Sequence, residues 1–410
     1  MKITNGQYEI GGVAVAGLVE KYGSPLYIYD TATISNQYKR LSEAFGNIRM
    51  NIHYACKALN NINIMRHICK LGAGLDTVSV QEIKLGIKAG FAPKDIMFTP
   101  SCVDFDEYDE AIGYGAHVSV DHLSILEQIG AKYGSDVPVS IRIKPGIMGG
   151  GHQKYSVGHT DSKFGISVDY LPQIRQIADT YKMTIEGLHE HTGSDILDMD
   201  VFPKVAEVMF HAAEHFPDLQ FLDFGGGFKV TYKPDDTPID IEFLGSMLSQ
   251  KFHDFCKKYG RDLTLKFEPG KFLVSQAGYL ATRVNVVKQS EFTVFAGINT
   301  GLNHLIRPMY YDAYHHIVNV SNPNGTPRTY TIVGYICEKD TFAKDREITE
   351  ISEGNILVFL NAGAYCMTMA SNYNARLLPA EVMIHKGKDY LIRQRETWDD
   401  LLKNQIILDL

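Results

Sequence analysis

Cysteine is scarce. There are six in 410 residues (Cys56, Cys69, Cys102, Cys256, Cys337 and Cys366), and no two are spaced as C-x-x-C. The usual zinc and dithiol motifs are therefore missing and no metal site is expected. Six scattered thiols in so long a chain do not make a disulfide framework either. Long apolar runs are absent: none reaches the ~18 residues of a membrane span. The opening MKITNGQYEIGG lacks the apolar stretch of a signal peptide. A reducing cytoplasm is the expected location. There is no basic surplus, since 40 Lys and Arg against 48 Asp and Glu leave a formal charge of -8. That balance speaks against a nucleic-acid binder. No G-x-G-x-x-G turn follows the first strand-like run, which argues against a dinucleotide fold.

What is present is ordinary in bulk, 45% hydrophobic and 21% charged. The length exceeds the roughly 250–300 residues at which single cores stop growing, so two domains are expected. Eight apolar, β-branched runs read as strands: Ile52–Lys57, Gly74–Ser79, Ile96–Pro100, His117–Asp121, Val139–Lys144, Thr184–His191, Gln220–Gly227 and Thr264–Gly270. Helical patterns such as Asn61–Leu71 and Val80–Ala89 fall between them. Strand–helix alternation implies a parallel sheet, and eight such units match a (β/α)8 TIM-like barrel. A doubly wound sheet is the alternative.

From Val274 the texture changes to runs rich in valine, threonine and tyrosine (FTVFAGIN, TYTIVGYIC, NILVFLNAG) without clear helices between them. This reads as a C-terminal all-β domain, sandwich- or barrel-like. Pro25–Tyr29 is a strand candidate that could join it, and Ser321–Thr326 is a turn. The expected division is residues 30–273 for the barrel and 1–29 with 274–410 for the β-domain.

A barrel carries its chemistry at the C-terminal ends of its strands. In order, those ends present Lys57; Asp76, Ser79 and Glu82; His189, His191, Gly193 and Ser194; Gly225, Gly226 and Gly227; and Glu268, Pro269, Gly270 and Lys271. Each has a plain reading. A lysine at a strand end is usually a solvated charge, a histidine is usually a satisfied core residue, and three glycines are often only a tight turn. Lys57, however, lies within the apolar HYACKAL. Burial there would favour the neutral amine that Schiff-base chemistry needs. Glycines at a strand end let backbone N–H groups approach a phosphate. The joint placement favours the functional reading.

With these residues the chain resembles the fold III pyridoxal-phosphate-dependent decarboxylases, most closely the branch acting on meso-2,6-diaminopimelate. The segments that carry the resemblance are Tyr54-Ala-Cys-Lys57-Ala, Gly187-Leu-His-Glu-His191-Thr-Gly-Ser194, Gly225–Gly227 and Glu268-Pro-Gly. Further along come Arg307-Pro-Met-Tyr-Tyr311 with Ala313-Tyr314-His315, then Cys337-Glu338, Asn361-Ala-Gly-Ala-Tyr365 and Met369-Ala-Ser-Asn-Tyr-Asn. The resemblance spans nearly the whole chain. It implies pyridoxal 5'-phosphate as cofactor, held covalently by Lys57. Glu268 would face the pyridine nitrogen and His191 would stack on the ring. Ser194 and Gly225–Gly227 would hold the phosphate, Tyr365 would close the site, and Asp76 would lie near the lysine. Pro269, Gly270 and Lys271 complete the cofactor set. Cys337 would return a proton to the substrate α-carbon, a step suited to a thiol that is mostly protonated near neutrality. A buried cysteine acting as a small hydrophobe is the plain alternative, and the adjoining Glu338 argues against it. Members of the family are homodimers in which this pair reaches the partner's active site.

The resemblance also implies a distal substrate carboxylate on Arg307, for which a guanidinium fork is well shaped. Tyr311, Tyr365, Lys271 and Glu338 would make further substrate contacts. Two departures from the family pattern stand out. Lys271 replaces the usual arginine, and the Cys337 loop is one residue short, which puts the usual geometry of Glu338 and Asp340 in question. The rivals are a decarboxylase of another basic amino acid (ornithine, lysine, arginine or carboxynorspermidine), and a racemase, which would need a second base opposite Lys57. A non-catalytic pyridoxal-phosphate-binding protein would lack the large β-domain. A sugar-phosphate barrel enzyme would use Gly225–Gly227 without an aldimine. Gly149–Gly158 (GGGHQKYSVG) reads equally as a lid or as a plain surface loop.

Overall fold

The structure is a computed structural model that describes residues 1–147, 149, 158, 161–196 and 198–410. All but the two end glycines of the expected lid, Gly149–Gly158, lies outside the described residues. The chain forms two compact units. One is Ser35–Val230 with Thr237–Leu273; the other is Met1–Ile34, Thr231–Asp236 and Val274–Leu410. The expected division at 29/30 and 273/274 does not foresee the short excursion Thr231–Asp236, which carries no apolar run of its own.

The first unit is a closed parallel barrel. Its strands are Met50–Ala55, Gly74–Thr77, Ile96–Phe98, His117–Val120, Val139–Lys144, Ile185–His189, Phe221–Asp223 and Thr264–Phe267. Each pairs with the next, and the eighth pairs with the first in the register Phe267↔Ile52. Closure removes the sheet edges. The doubly wound alternative is thereby excluded. Six of the eight strands are one to five residues shorter than the apolar runs, chiefly because a run continues past the last ladder bond into the rim loop.

Helices start where side chains can serve the free N–H groups of a first turn. Ser79 accepts from the backbone N–H of Glu82 ahead of Val80–Ala89, and Asn61 accepts from Asn63 ahead of Ile62–Lys70. Gly90 ends the former helix at φ 106, where a side chain would be strained. That helix buries Val80, Ile83, Gly86 and Ala89. Gly86 permits its close approach, since a Cβ there would lie 2.4 Å from Leu75 Cδ2.

Contacts between non-neighbouring strands cross the barrel interior, and many are polar. Ser119 Oγ lies 3.0 Å from His189 Nδ1, and the Lys266 ammonium lies 3.5 Å from Met97 Sδ. A tightly packed interior that carries charge must pair it, and the rim described below does so only in part.

The second unit is built around the twelve-residue strand Gly278–Gln289. It pairs antiparallel with Leu26–Asp30, Ile356–Phe359 and Val294–Ile298. The sheet extends on one side through Pro327–Val333 to Thr341–Thr349, and on the other through Ala380–His385 to Lys388–Arg393. Val15, Leu18, Ile28, Ala281, Val358 and Val382 form part of its core. The unit is β-rich, with helices at Val15–Tyr22, Arg307–Tyr311 and Trp398–Leu402. Among the described residues no helix is long and apolar enough to cross a membrane.

Candidate active site

Lys57 does not lie in the first strand, as its apolar context suggests. It occupies the single 3-10 turn Cys56–Ala58 that follows the strand. Its side chain is 35% exposed, and its Nζ lies 2.8 Å from Oδ2 of the fully buried Asp76. The amine is therefore held as half of an ion pair and not simply desolvated. Thr99 donates to the other Asp76 oxygen at 2.5 Å. Both oxygens of this carboxylate are satisfied, one by charge and one by a hydroxyl.

The sixth strand ends on His189, and the chain continues through Glu190 and His191. His191 Nδ1 accepts from the Gly226 N–H at 3.1 Å, which leaves its proton on Nε2. Burial first, then the Lys57 charge, pushes its pKa well below the ordinary histidine value. His189 is pushed down to about 4 by burial and Arg142, so this ring too is neutral.

Glu268 ends the eighth strand. It is buried, its Oε2 lies 3.2 Å from His189 Nε2, and its Oε1 has no hydrogen-bond partner among the described residues. Burial, then the Asp76 charge, raises its pKa. Asp223 is also fully buried, and it accepts from the Gly225 N–H at 2.9 Å. Its pKa is raised by burial and by Glu268. Two carboxylates in one dry region are short of positive charge. A protonated ring nitrogen is a group that such a pocket would accept.

Gly225 and Gly227 adopt φ of 59 and 103. A Cβ on Gly226 would stand 2.5 Å from the Glu268 carbonyl oxygen, and one on Gly227 would stand 2.4 Å from that of Gly193. The Glu268 N–H donates to Gly225 O at 2.6 Å and the Ile196 N–H to Gly227 O at 2.9 Å. The glycine turn is thus packed directly between the Gly193–Ile196 and Glu268 segments. Backbone at such close quarters, with Ser194 alongside, suits a phosphate. The unpartnered Glu268 oxygen, the neutral His191 ring and this cradle together fit pyridoxal phosphate.

Lys271 is 7% exposed and its Nζ lies 2.6 Å from Asp195 Oδ2. Asp195 is absent from the expected set, because its partner is 76 residues away. Arg142 is also absent from it. It is a buried guanidinium on the fifth strand, 4.7 Å from the Phe164 ring centroid, and it lowers the His189 pKa. The charge inside the apolar run VSIRIK is the signal that could have found it.

In the second unit Arg307 opens the helix Arg307–Tyr311 and is 3% exposed. Its guanidinium lies 5.4 Å from the Tyr232 ring centroid and 5.8 Å from that of Tyr311. Burial raises the Tyr311 pKa. Tyr365 is half-buried at φ 56 and Asn361 stands at φ 58. Cys337 and Glu338 are exposed and do not continue the apolar strand as their sequence context suggests. That strand ends at Val333, because Gly334 bonds back to Asp340 O and Asp340 to Glu338 O, closing a turn. In this short loop Asp340 turns inward and is buried while Glu338 faces out.

A parallel barrel whose rim carries a lysine, a neutral buried histidine, a glycine cradle and an acid defines a class of pyridoxal-phosphate enzyme. Residues 31–275 match the family described as "Pyridoxal-dependent decarboxylase, pyridoxal binding domain", and the chain belongs to that family. Its full-length relatives narrow the class further. The chain is 37% identical to the diaminopimelate decarboxylase of Methanothermobacter thermautotrophicus, covering 98% of this chain and 96% of that one. It is 32% identical to that of Pseudomonas aeruginosa, covering 97% and 96%. Among solved structures, diaminopimelate decarboxylase from M. jannaschii in co-complex with L-lysine superposes with a TM-score of 0.90 at 31% identity, covering 99% and 98% of the two chains.

Proposed function

We propose that this protein converts meso-2,6-diaminopimelate to L-lysine and CO2, with pyridoxal 5'-phosphate as cofactor. When bound, the cofactor's protonated pyridine ring accepts the electron pair left as CO2 departs. Lys57 would hold the cofactor through its amine. Asp76 holds that lysine in place by its 2.8 Å ion pair. Glu268 keeps the ring nitrogen protonated, and His191 lies against the ring. Ser194, Gly225–Gly227, Pro269, Gly270 and Tyr365 hold the phosphate side. Lys271 supports the phosphate or the substrate carboxylate while paired to Asp195.

Cys337 gives the proton that replaces the lost carboxylate, and Glu338 pairs with the substrate's distal ammonium. Arg307 takes the distal carboxylate, with Tyr311 and Tyr365 adding hydroxyls. The working form in this reading is a cytoplasmic homodimer, each chain offering Cys337 and Glu338 to its partner. Six scattered cysteines, too few for a disulfide framework in a chain of this length, support a reducing compartment.

The observation that carries the substrate choice is Arg307, a buried guanidinium flanked by two tyrosines. Ornithine and lysine have no second carboxylate to meet its planar, bidentate fork, whereas meso-diaminopimelate has one. The test is CO2 release from meso-diaminopimelate, ornithine, lysine and arginine side by side. Release from the first alone is expected; a faster rate with any of the others would overturn the substrate assignment.

A further inference from the structure

The turn Tyr373–Ala375 is strained and well anchored. Asn374 and Ala375 both sit in the left-handed region, at φ 57 and 55. Alanine gains nothing there and costs roughly 1–2 kcal/mol. The turn is held from behind: Asn372 Nδ2 donates to Arg376 O at 3.0 Å and to Glu396 Oε2 at 2.6 Å, and the same carboxylate oxygen accepts from the Leu378 N–H at 2.8 Å.

The strained turn presents two side chains to Cys337 and Glu338. Asn374 binds Cys337 at both ends, its Oδ1 accepting from the Cys337 N–H at 2.9 Å and its Nδ2 donating to Sγ at 3.0 Å. Tyr373 donates its hydroxyl proton to Glu338 Oε1 at 3.0 Å, and its oxygen lies 3.7 Å from Cys337 Sγ.

We propose that Tyr373 and Asn374 are positioning residues that hold Cys337 and Glu338 as one unit and stabilise the sulfur after it has given up its proton. This rests on the reading of Cys337 as proton donor. In the resting state the Asn374 amide fixes the thiol. The tyrosine oxygen, its own proton committed to Glu338, is free to accept from S–H. When the thiol proton passes to the substrate α-carbon, a C–H bond forms, the S–H bond breaks, and the electron pair stays on sulfur. The thiolate then keeps the Asn374 N–H, and the Tyr373 O–H turns from Glu338 toward it. Water returns the proton to sulfur between turnovers. Hydrogen bonding to Cys337 and then Glu338 pushes the Tyr373 hydroxyl up to about 12, so it remains a donor through the cycle.

The test uses Asn374→Asp, which keeps shape and removes the N–H donor, and Tyr373→Phe, which keeps the ring and removes the hydroxyl. Cys337 alkylation by iodoacetamide at pH 7.5 is read peptide by peptide, with the exposed Cys102 as internal reference. Loss of a donor to a charged sulfur should slow alkylation about tenfold. In the holoenzyme kcat should fall by about the same factor, with KM for meso-diaminopimelate within about twofold for Asn374→Asp. If Cys337→Ala is severely slowed while both variants alkylate and turn over like the parent, this inference is overturned and the proton-donor reading stands. If Cys337→Ala itself turns over at the parent rate, the proton-donor reading is what has failed.

Discussion

The barrel rim and the Cys337 turn handle polar groups in opposite ways. At the rim, Asp76, Asp223, Glu190 and Glu268 are withdrawn from water, and each must find a partner within the protein or hold its proton. At the turn, Cys337, Glu338 and Tyr373 are exposed and lean on one another. The first arrangement suits permanent custody of a charged cofactor, because a dry site makes each charge count. The second suits a group that acts briefly and is recharged by water. Substitution at the rim should therefore disturb stability and cofactor together, whereas substitution at the turn should disturb turnover alone.

The largest effect is expected at Lys57. Lys57→Ala should abolish turnover and the absorbance band of the lysine-bound cofactor. It also strips the buried Asp76 of the cation paired to its Oδ2. Leaving a buried carboxylate uncompensated costs about 3 kcal/mol, the low end for a broken pair because the lysine is itself a third exposed. Denaturant unfolding of the cofactor-free protein would show this loss. Adding Asp76→Asn to the variant should restore most of it without restoring the band. A double variant no more stable than the single one would mean that the buried charge is not the cause.

Cys337→Ala comes next. General acid catalysis is worth about 10²–10⁴ in rate, and the variant should lose that much. The side chain is exposed, so the melting temperature should move by no more than about 1 °C. The cofactor band should be unchanged. A variant that lost the band or melted well below the parent would place Cys337 with the rim groups and break the contrast.

How much of this was legible in the sequence follows the same contrast. The barrel strands are readable because each buries apolar side chains in a short local run, and the helix Val80–Ala89 is bounded by its own Ser79 and Gly90. Lys57, Glu268 and Gly225–Gly227 stood out because charge or glycine interrupted an apolar run. Asp195 could not be found that way: its significance lies in Lys271, far along the chain. Tyr373 and Asn374 were visible only as part of a motif, since their roles come from a left-handed turn that no local pattern encodes. The apolar run before Cys337 misled about its strand, because the turn at Gly334 is made by a backbone bond to Asp340, six residues on.

The smallest expected effect tests whether the rim holds its excess acid as protonated groups. Glu190 is fully buried, accepts from Thr192 Oγ1 at 2.7 Å, and has its pKa raised to about 8 by burial. Its unfolded value is about 4.3. The folded protein therefore binds the extra proton between those values, and stability must fall as pH rises through that window. His189 works in the other direction. With its pKa lowered to about 4, it adds stability as pH rises from there to its unfolded value of about 6.5. The histidine and glutamate effects oppose each other below about pH 6.5; above it Glu190, Glu268 and Asp223, all raised by burial, act in the same destabilising direction. Between pH 6.5 and 8 the Glu190 proton alone should cost the cofactor-free protein about 2 kcal/mol of unfolding free energy, at 1.36 kcal/mol per pH unit. Glu190→Gln keeps the shape and removes this titration, so its loss across that interval should be smaller than the parent's by about 2 kcal/mol. If the variant's slope matched the parent's, the proton taken up on folding would belong to another buried acid, with Asp223 and Glu268 the next to test.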